Sequence, residues 1–214
     1  MAYRRTPQIR HRLEARRQAI LAAARAVVAE GGFQALGMQL VAERTGLATG
    51  TLYRYFGSKA ALCTEIVTGV SEREVAVLRR IAASPGPPLE RLHRAVYAFS
   101  RRAMRARKLA YALMAEPVAP ELDALRIHYR EELAGVLVGL IEACVAAGTL
   151  PPQNARARAA FMVGAFIEGV IGPHAPDLPP EEHGALADDI ASFCLLGAGA
   201  TPQSLAAAMH GNAA

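Results

Sequence analysis

The side chains in this sequence that could do chemistry are concentrated between positions 49 and 59. This stretch carries two threonine hydroxyls on either side of Gly50, followed by two phenols, a guanidinium and an ammonium group. The residues concerned are Thr49, Gly50, Thr51, Tyr53, Arg54, Tyr55 and Lys59. Hydroxyl, phenol and cationic groups bind phosphate oxygens, while a guanidinium also reads guanine and a threonine methyl packs on thymine. The chemistry that this stretch favours is therefore the recognition of DNA.

A helix-turn-helix would position these groups. Residues 38–45 predict a short helix, Gly46 a sharp turn, and residues 47–56 a second helix. The first turn of such a recognition helix faces base edges in the major groove, where Gly50 permits close approach. We also assign Gln39, on the first helix, to DNA contact. A simpler interpretation of Tyr55 and Phe56 is that they are core residues.

Charge is distributed unevenly along the 214 residues. The net charge of +5 combines +7 over residues 1–60 with −2 over residues 61–214. A basic N-terminal part suggests a polyanionic partner, although a solvated basic terminus would have the same composition. Arginines upstream of the motif would add phosphate or minor-groove contacts, and they include Arg4, Arg5, Arg10, Arg12, Arg16 and Arg17.

Nearly the whole chain reads as helix, which predicts an all-α fold. Apolar residues at helical spacing indicate a first helix over residues 11–30, ended by Gly31-Gly32, and Ser58 is a suitable N-cap for a helix over 59–83. Later breaks at prolines separate further helices near 89–107, 108–115, 120–148, 153–172, 182–199 and 203–210. We expect a three-helix DNA-binding domain at residues 1–60, and a helical ligand-binding and dimerisation domain at 61–214.

The first third of the chain resembles the TetR family of bacterial regulators. The run from Gly50 to Lys59 follows the pattern G-T-L-Y-x-Y-F-x-S-K, and Gly31-Gly32-Phe33 and residues 41–47 fit the same family. The resemblance implies a homodimer that binds a near-palindromic operator and usually represses transcription. It also implies a small molecule in the C-terminal domain that releases the DNA. The expected protein is thus a regulator rather than an enzyme, with no cofactor.

Three positions depart from the family pattern. Gly37 and Ala48 stand where the family usually has hydroxyl-bearing helix caps, and Leu40 stands where an acidic residue is common. Each missing cap is worth about 1 kcal/mol. We predict that Thr49 caps the recognition helix instead, one position later.

The C-terminal region contains polar and polarisable residues that could line a pocket for a bulky, largely apolar effector. The candidates are His93, Tyr97, Met104, Tyr111, Met114, His128 and Tyr129. Aromatic residues and methionines at helical spacing are more often core, and that alternative stays open. The effector's identity is not readable from the sequence.

Two later segments, residues 159–171 and 190–197, are apolar nearly all round. A helix of this kind must be buried on every side, which is easier when a second subunit covers one of them. The predicted dimer residues are Met162, Ala165, Phe166, Gly169, Ile190, Phe193 and Leu196.

Other classes of protein have less support. Three separated cysteines and no CxxC pair favour small buried side chains in a reducing cytoplasm, with a redox sensor as an alternative. The acidic loop between His174 and His183 fits no compact metal motif, and no apolar run is long enough to span a membrane. A helical enzyme or carrier, and a protein that coats DNA non-specifically, are the competing functions.

Overall fold

Ten α-helices form the described part of the protein, which is residues 7–210 of a computed structural model. In chain order they are α1 (Pro7–Ala35), α2 (Met38–Thr45), α3 (Thr49–Phe56), α4 (Lys59–Ala82), α5 (Pro88–Arg105), α6 (Arg107–Met114), α7 (Pro120–Ala146), α8 (Ala155–Ile171), α9 (His183–Gly197) and α10 (Pro202–His210). The residues described contain no strand. The all-α prediction is confirmed.

Helices α1 to α4 enclose a small apolar core. Ile20 and Val27 of α1 are completely or almost completely buried there, together with Val41 of α2 and Leu52 of α3. Gly32 kinks α1 with φ 74° and ψ −176°, a backbone conformation that a side chain would strain. The kink turns the chain so that Phe33 and Leu36 return onto this core.

The turn between α2 and α3 is made by Gly46, which adopts the left-handed conformation with φ 66° and ψ 26°. Its backbone N–H donates to the carbonyls of Ala42 and Glu43 at the end of α2. Leu47 packs against the N-terminal core immediately afterwards. The helix-turn-helix therefore has the glycine where the predicted sharp turn required it.

Helix α4 connects the two halves of the molecule. Its N-cap is Ser58, whose hydroxyl accepts a hydrogen bond from the N–H of Ala61 at 3.0 Å. Early α4 residues up to Val67 belong to the N-terminal core, whereas Val75 and Leu78 belong to the C-terminal one. The predicted division at residue 60 thus falls at the start of a helix that both cores share.

Helices α5 to α10 surround a second, larger core. Helix α5 lies at its centre, in contact with α4, α7, α8 and α9. Leu92, Leu137, Phe166 and Leu195 are almost completely buried within it. Burial of each such side chain contributes about 1.5–3 kcal/mol, so this core stabilises the scaffold without disulfides.

Candidate nucleic-acid interface and internal cavity

Helix α3 is fixed to the protein by one apolar edge. Leu52 is completely buried and Phe56 is 5 % exposed, and both belong to the N-terminal core. The guanidinium of Arg17 lies over the Phe56 ring, 5.2 Å from its centroid, and pairs with Glu65. These contacts hold α3 in one orientation about its axis, so its opposite face is directed outward.

The outward face of α3 carries the polar groups singled out in the sequence. Gly50, Tyr53 and Arg54 are exposed. The other predicted contact residues of this stretch, Thr49, Thr51 and Tyr55, are half-buried, and Lys59 and Gln39 are exposed on the adjoining helices. A Cβ added at Gly50 would meet no atom of the described residues within 4 Å. Packing therefore does not require a glycine there.

The start of α3 differs from its prediction. Ala48 is the N-cap residue, with an extended backbone at φ −70° and ψ 140°, and Thr49 is already helical. Thr49 is therefore one residue too late to cap the helix, and the prediction that it does so is wrong. Helix α2 likewise begins after Gly37, whose hydrogen side chain cannot cap.

Basic residues of α1 flank the helix-turn-helix. Arg12 and Arg16 line a groove whose other wall is the α2–α3 turn and Tyr55. Arg44 of α2 does not line this groove and instead forms a two-pronged ion pair with Glu30. The hydrogen bond from Arg44 lowers the pKa of Glu30. Arg4 and Arg5 lie outside the described residues. Arg12 and Arg16 therefore lie beside the helix-turn-helix.

A cavity of about 120 Å³ lies between α4, α5, α6 and α7. Its apolar lining includes Phe99, Leu109, Leu113 and Leu133. Of the predicted effector residues, Met114 and Tyr129 line it. The structure does not bring the other five to this cavity: His93 and Met104 are buried in the core, Tyr97 stacks on His93, and Tyr111 and His128 are exposed.

The polar lining of this cavity was not anticipated from the sequence. It contains Arg102, Arg126 and Arg130, with Glu74 as the carboxylate. Arg102 donates two hydrogen bonds to Glu74, at 2.9 and 2.8 Å. Arg126 is 6 % exposed, and burial lowers the pKa of its guanidinium, opposed by the charges of Asp123 and Glu116. The cavity is thus apolar over most of its wall and positively charged at one part.

Arg126 also connects this cavity with the N-terminal helices. It donates hydrogen bonds to the backbone carbonyls of Ala112 and Glu116, the latter at 2.6 Å. The buried Glu116 carboxylate in turn accepts the backbone N–H groups of Phe33 at 2.9 Å and Gln34 at 3.1 Å. Two hydrogen-bonding residues therefore join the cavity wall to the end of α1. A glutamate in a segment that reads as a helix break has no local sequence pattern that predicts this role.

The outer face of α8 and α9 is apolar. Phe161, Phe193 and Leu196 are 65 %, 69 % and 45 % exposed. The predicted dimer residues Ala165 and Gly169 are half-buried, and a Cβ at Gly169 would lie 3.1 Å from Ile190. We call Phe161, Phe193 and Leu196 the α8–α9 patch. Of these three, the prediction included Phe193 and Leu196.

Three predicted dimer residues lie on the opposite side of these helices. Met162, Phe166 and Ile190 are 3 %, 1 % and 7 % exposed within the single chain. Phe166 packs on Phe99 of α5, with ring centroids 4.4 Å apart. These residues are interior side chains of their own subunit, which corrects their assignment to an intersubunit surface.

Other types of site have little support in the described residues. All three cysteines are buried and unpaired, and burial raises the pKa of Cys194 to about 12. Within residues 7–210 there is no cluster of three or more His, Cys, Asp or Glu side chains suited to a metal ion. No helix in that range combines the length and apolarity needed to traverse a bilayer.

Residues 20–66 match the family of bacterial regulatory proteins called the tetR family. Over 78 residues the chain is 44% identical to the HTH-type transcriptional repressor KstR of Mycolicibacterium smegmatis, a match that covers 36% of this chain and 38% of KstR. KstR of Mycobacterium tuberculosis is 35% identical over 114 residues, which cover 50% of this chain and 52% of that protein. The chain thus spans about half the length, or less, of these curated relatives.

Solved structures share the fold over most of the chain. A TetR/AcrR-family regulator from Thermobifida fusca is 26% identical with a TM-score of 0.66, and the match covers 86% of this chain and 98% of that one. FadR from Bacillus subtilis, solved in complex with stearoyl-CoA, is 18% identical with a TM-score of 0.71, covering 84% and 98%. The N-terminal helices therefore match the tetR family of bacterial regulatory proteins, and the helices beyond them share the fold of solved regulators of that family.

Proposed function

We propose that this protein is a ligand-responsive transcriptional repressor, which binds a near-palindromic operator as a homodimer and is released by a small, largely apolar effector. The observation that carries the proposal is the face of α3, where Tyr53 and Arg54 are exposed above a buried Leu52 and Phe56. Proteins of this family are transcription factors rather than enzymes. The matched KstR relatives are repressors, which supports repression over activation.

The arrangement of side chains along α3 and the start of α4 supports direct recognition of bases. Arg54 can form a two-pronged contact with guanine, and Tyr53 and Lys59 can bind phosphates on either side. A base contact of this kind contributes about 1–3 kcal/mol, and tenfold in affinity corresponds to about 1.4 kcal/mol. Loss of the Arg54 side chain is therefore expected to weaken operator binding by about fivefold to a hundredfold.

The α8–α9 patch supports the dimer. A patch of two phenylalanines and a leucine, each close to half exposed or more, is costly to leave in water, and a second copy related by a two-fold axis would cover it with the same surface. Two α3 helices would then contact half-sites about one DNA turn apart, roughly 34 Å. The expected operator is consequently palindromic.

The cavity and the hydrogen bonds that leave it support a response to a ligand. Arg126 lies in the cavity wall and holds the backbone of Glu116, whose carboxylate holds the end of α1. A ligand that moves Arg126 would therefore alter the contact between the C-terminal helices and the helix-turn-helix. The FadR neighbour was solved with stearoyl-CoA, a ligand with a long apolar acyl chain, which supports an apolar body for the ligand proposed here.

Selection of bound DNA from a random pool tests the DNA-binding part of the proposal. We expect a palindrome, bound in the presence of competitor DNA at two salt concentrations. Arg54→Ala should weaken binding to the selected site, while the matched control Arg80→Ala, at an exposed position near the end of α4, should not. Binding to all sequences alike, varying with salt alone, would instead identify a protein that coats DNA.

The solution mass tests the dimer. Phe161→Glu and Phe193→Glu place charges in the α8–α9 patch and are expected to yield folded monomers, because both side chains are largely outside the subunit core. The control Phe166→Ala removes a buried ring instead, and it should lower stability by about 3–5 kcal/mol. A wild-type monomer at micromolar concentration would refute this part of the proposal.

A further inference from the structure

The lining of the cavity between α4 and α7 carries more positive than negative charge. Three arginines line it, Arg102, Arg126 and Arg130, against one carboxylate, Glu74. Glu74 is already held by both prongs of Arg102. Since this ion pair neutralises itself, the charges of Arg126 and Arg130 remain.

Arg126 is the deeper of these two residues. Its Nη atoms donate to backbone carbonyls, and the nearest carboxylate oxygen, on the largely exposed Asp123, is 4.0 Å away. Its Nε is buried and has no hydrogen-bond partner among the described residues. A guanidinium stays charged in proteins, and a buried charge whose nearest carboxylate is exposed and 4.0 Å away is only partly compensated. An anion bound here would compensate the charge of Arg126 and would also accept a hydrogen bond from its Nε.

We infer that the effector of this cavity is an anionic amphiphile, with a carboxylate that pairs with Arg126 and an apolar body that lies against the remaining wall. A carboxylate has two oxygens in one plane, and it can accept from Nε and a neighbouring Nη together. Arg130, on the next turn of α7, adds a second positive charge at the same part of the wall. The inference rests on the proposed function only in taking this cavity as the effector site.

The volume of the cavity limits the size of the ligand. One water molecule needs about 10–15 Å³ of such a cavity, so 120 Å³ has room for about ten non-hydrogen atoms. Octanoate has ten, and its chain would contact Phe99, Leu113 and Leu133 while its head reaches Arg126. Octanoate is therefore a suitable probe, with octan-1-ol and octylammonium as neutral and cationic ligands of the same chain length.

Calorimetric titration of the 214-residue chain with these three probes, without DNA, tests the inference. We expect octanoate to bind at least tenfold more tightly than octan-1-ol, and octylammonium to bind more weakly than either. Ala103→Phe, which fills the cavity from its wall, should weaken octanoate binding at least tenfold. Arg126→Lys keeps the charge and loses the planar fork, so it should reduce the preference for octanoate over octan-1-ol. Since Arg126 also holds two carbonyls, the wild-type comparison and Ala103→Phe decide the question if this variant does not fold.

Several results would overturn the inference: octan-1-ol binding as tightly as octanoate, octylammonium binding as tightly as octanoate, undiminished octanoate binding by Ala103→Phe, or binding of none of the three. Operator binding is measured separately on the same preparation. A protein that selects octanoate and binds no operator would contradict the proposed function and leave the ligand chemistry supported. A protein that binds its operator but shows no preference among the probes would contradict only the ligand chemistry.

Discussion

The contact of Glu116 with the end of α1 gives the sharpest prediction for the coupling of the two halves. Glu116→Gln replaces one carboxylate oxygen with an amide nitrogen, which cannot accept a hydrogen bond. One of the N–H groups of Phe33 and Gln34 then loses its acceptor, and the other donates to a neutral oxygen instead of a charged one. Hydrogen bonds to charged groups contribute about 1.5–3 kcal/mol each, and we expect a loss of about 2–4 kcal/mol in the free energy of unfolding.

Two measurements check this magnitude. In a protein of this size 1 kcal/mol changes Tm by about 2–4 °C, so Tm should fall by about 4–16 °C. The amides of Phe33 and Gln34 should exchange with solvent at least about 30-fold faster, because 1.4 kcal/mol corresponds to tenfold in an opening equilibrium. Glu142→Gln, at an exposed position on α7, is the matched control. A loss below about 0.5 kcal/mol, the size of an ordinary surface substitution, would refute the reasoning.

Three further predictions concern backbone strain, pH and thiol reactivity. In urea unfolding, Gly32→Ala should destabilise the protein more than Gly46→Ala. Both glycines have a positive φ, but only at Gly32 would the new Cβ come within 2.6 Å of the Glu116 carboxylate. Equal losses of stability would contradict this prediction. Burial lowers the pKa of His93, so the unfolded chain binds a proton at this residue more readily than the folded protein does. The stability that neutral His93 contributes above about pH 6.5 should therefore be lost as the pH falls. His93→Leu should flatten the dependence of Tm on pH between 7.5 and 5.5, and an unchanged slope would argue against this reasoning. All three thiols should react slowly with a thiol reagent until denaturant is added, since they are buried and the pKa of Cys194 is raised to about 12; rapid labelling of the native protein would favour the redox alternative.

The helices and the motif were predictable because their determinants are local. Gly32 kinks α1 and Gly46 ends α2 through their own backbone freedom, and Ser58 caps α4 through a residue three positions away. The face of α3 followed from the same periodicity, since Leu52 and Phe56 are four residues apart. Thr49 was misplaced by one residue because helix ends depend on a single backbone angle, here at Ala48.

The cavity and the dimer face were harder to predict because they depend on distant parts of the chain. The hydrogen-bond partners of Glu116 are 82 and 83 residues away in the sequence, and those of Arg126 are 10 and 14 residues away. On α8 apolar residues surround the helix, so periodicity could not distinguish the interior Phe166 from the exposed Phe161. Tertiary packing alone decides which of them faces outward.

The missing caps at Gly37 and Ala48 have a consequence for grafting this motif into another regulator. Helices of eight residues without hydroxyl caps have little stability of their own, so α2 and α3 depend on the core beneath them for their shape. That core extends to Val67 of α4 and includes Ala112 and Leu122 from beyond it. A chimera cut at residue 60 would leave part of this core behind. The smallest portable DNA-reading unit therefore ends within α4, and its new host must supply two apolar side chains that replace Ala112 and Leu122.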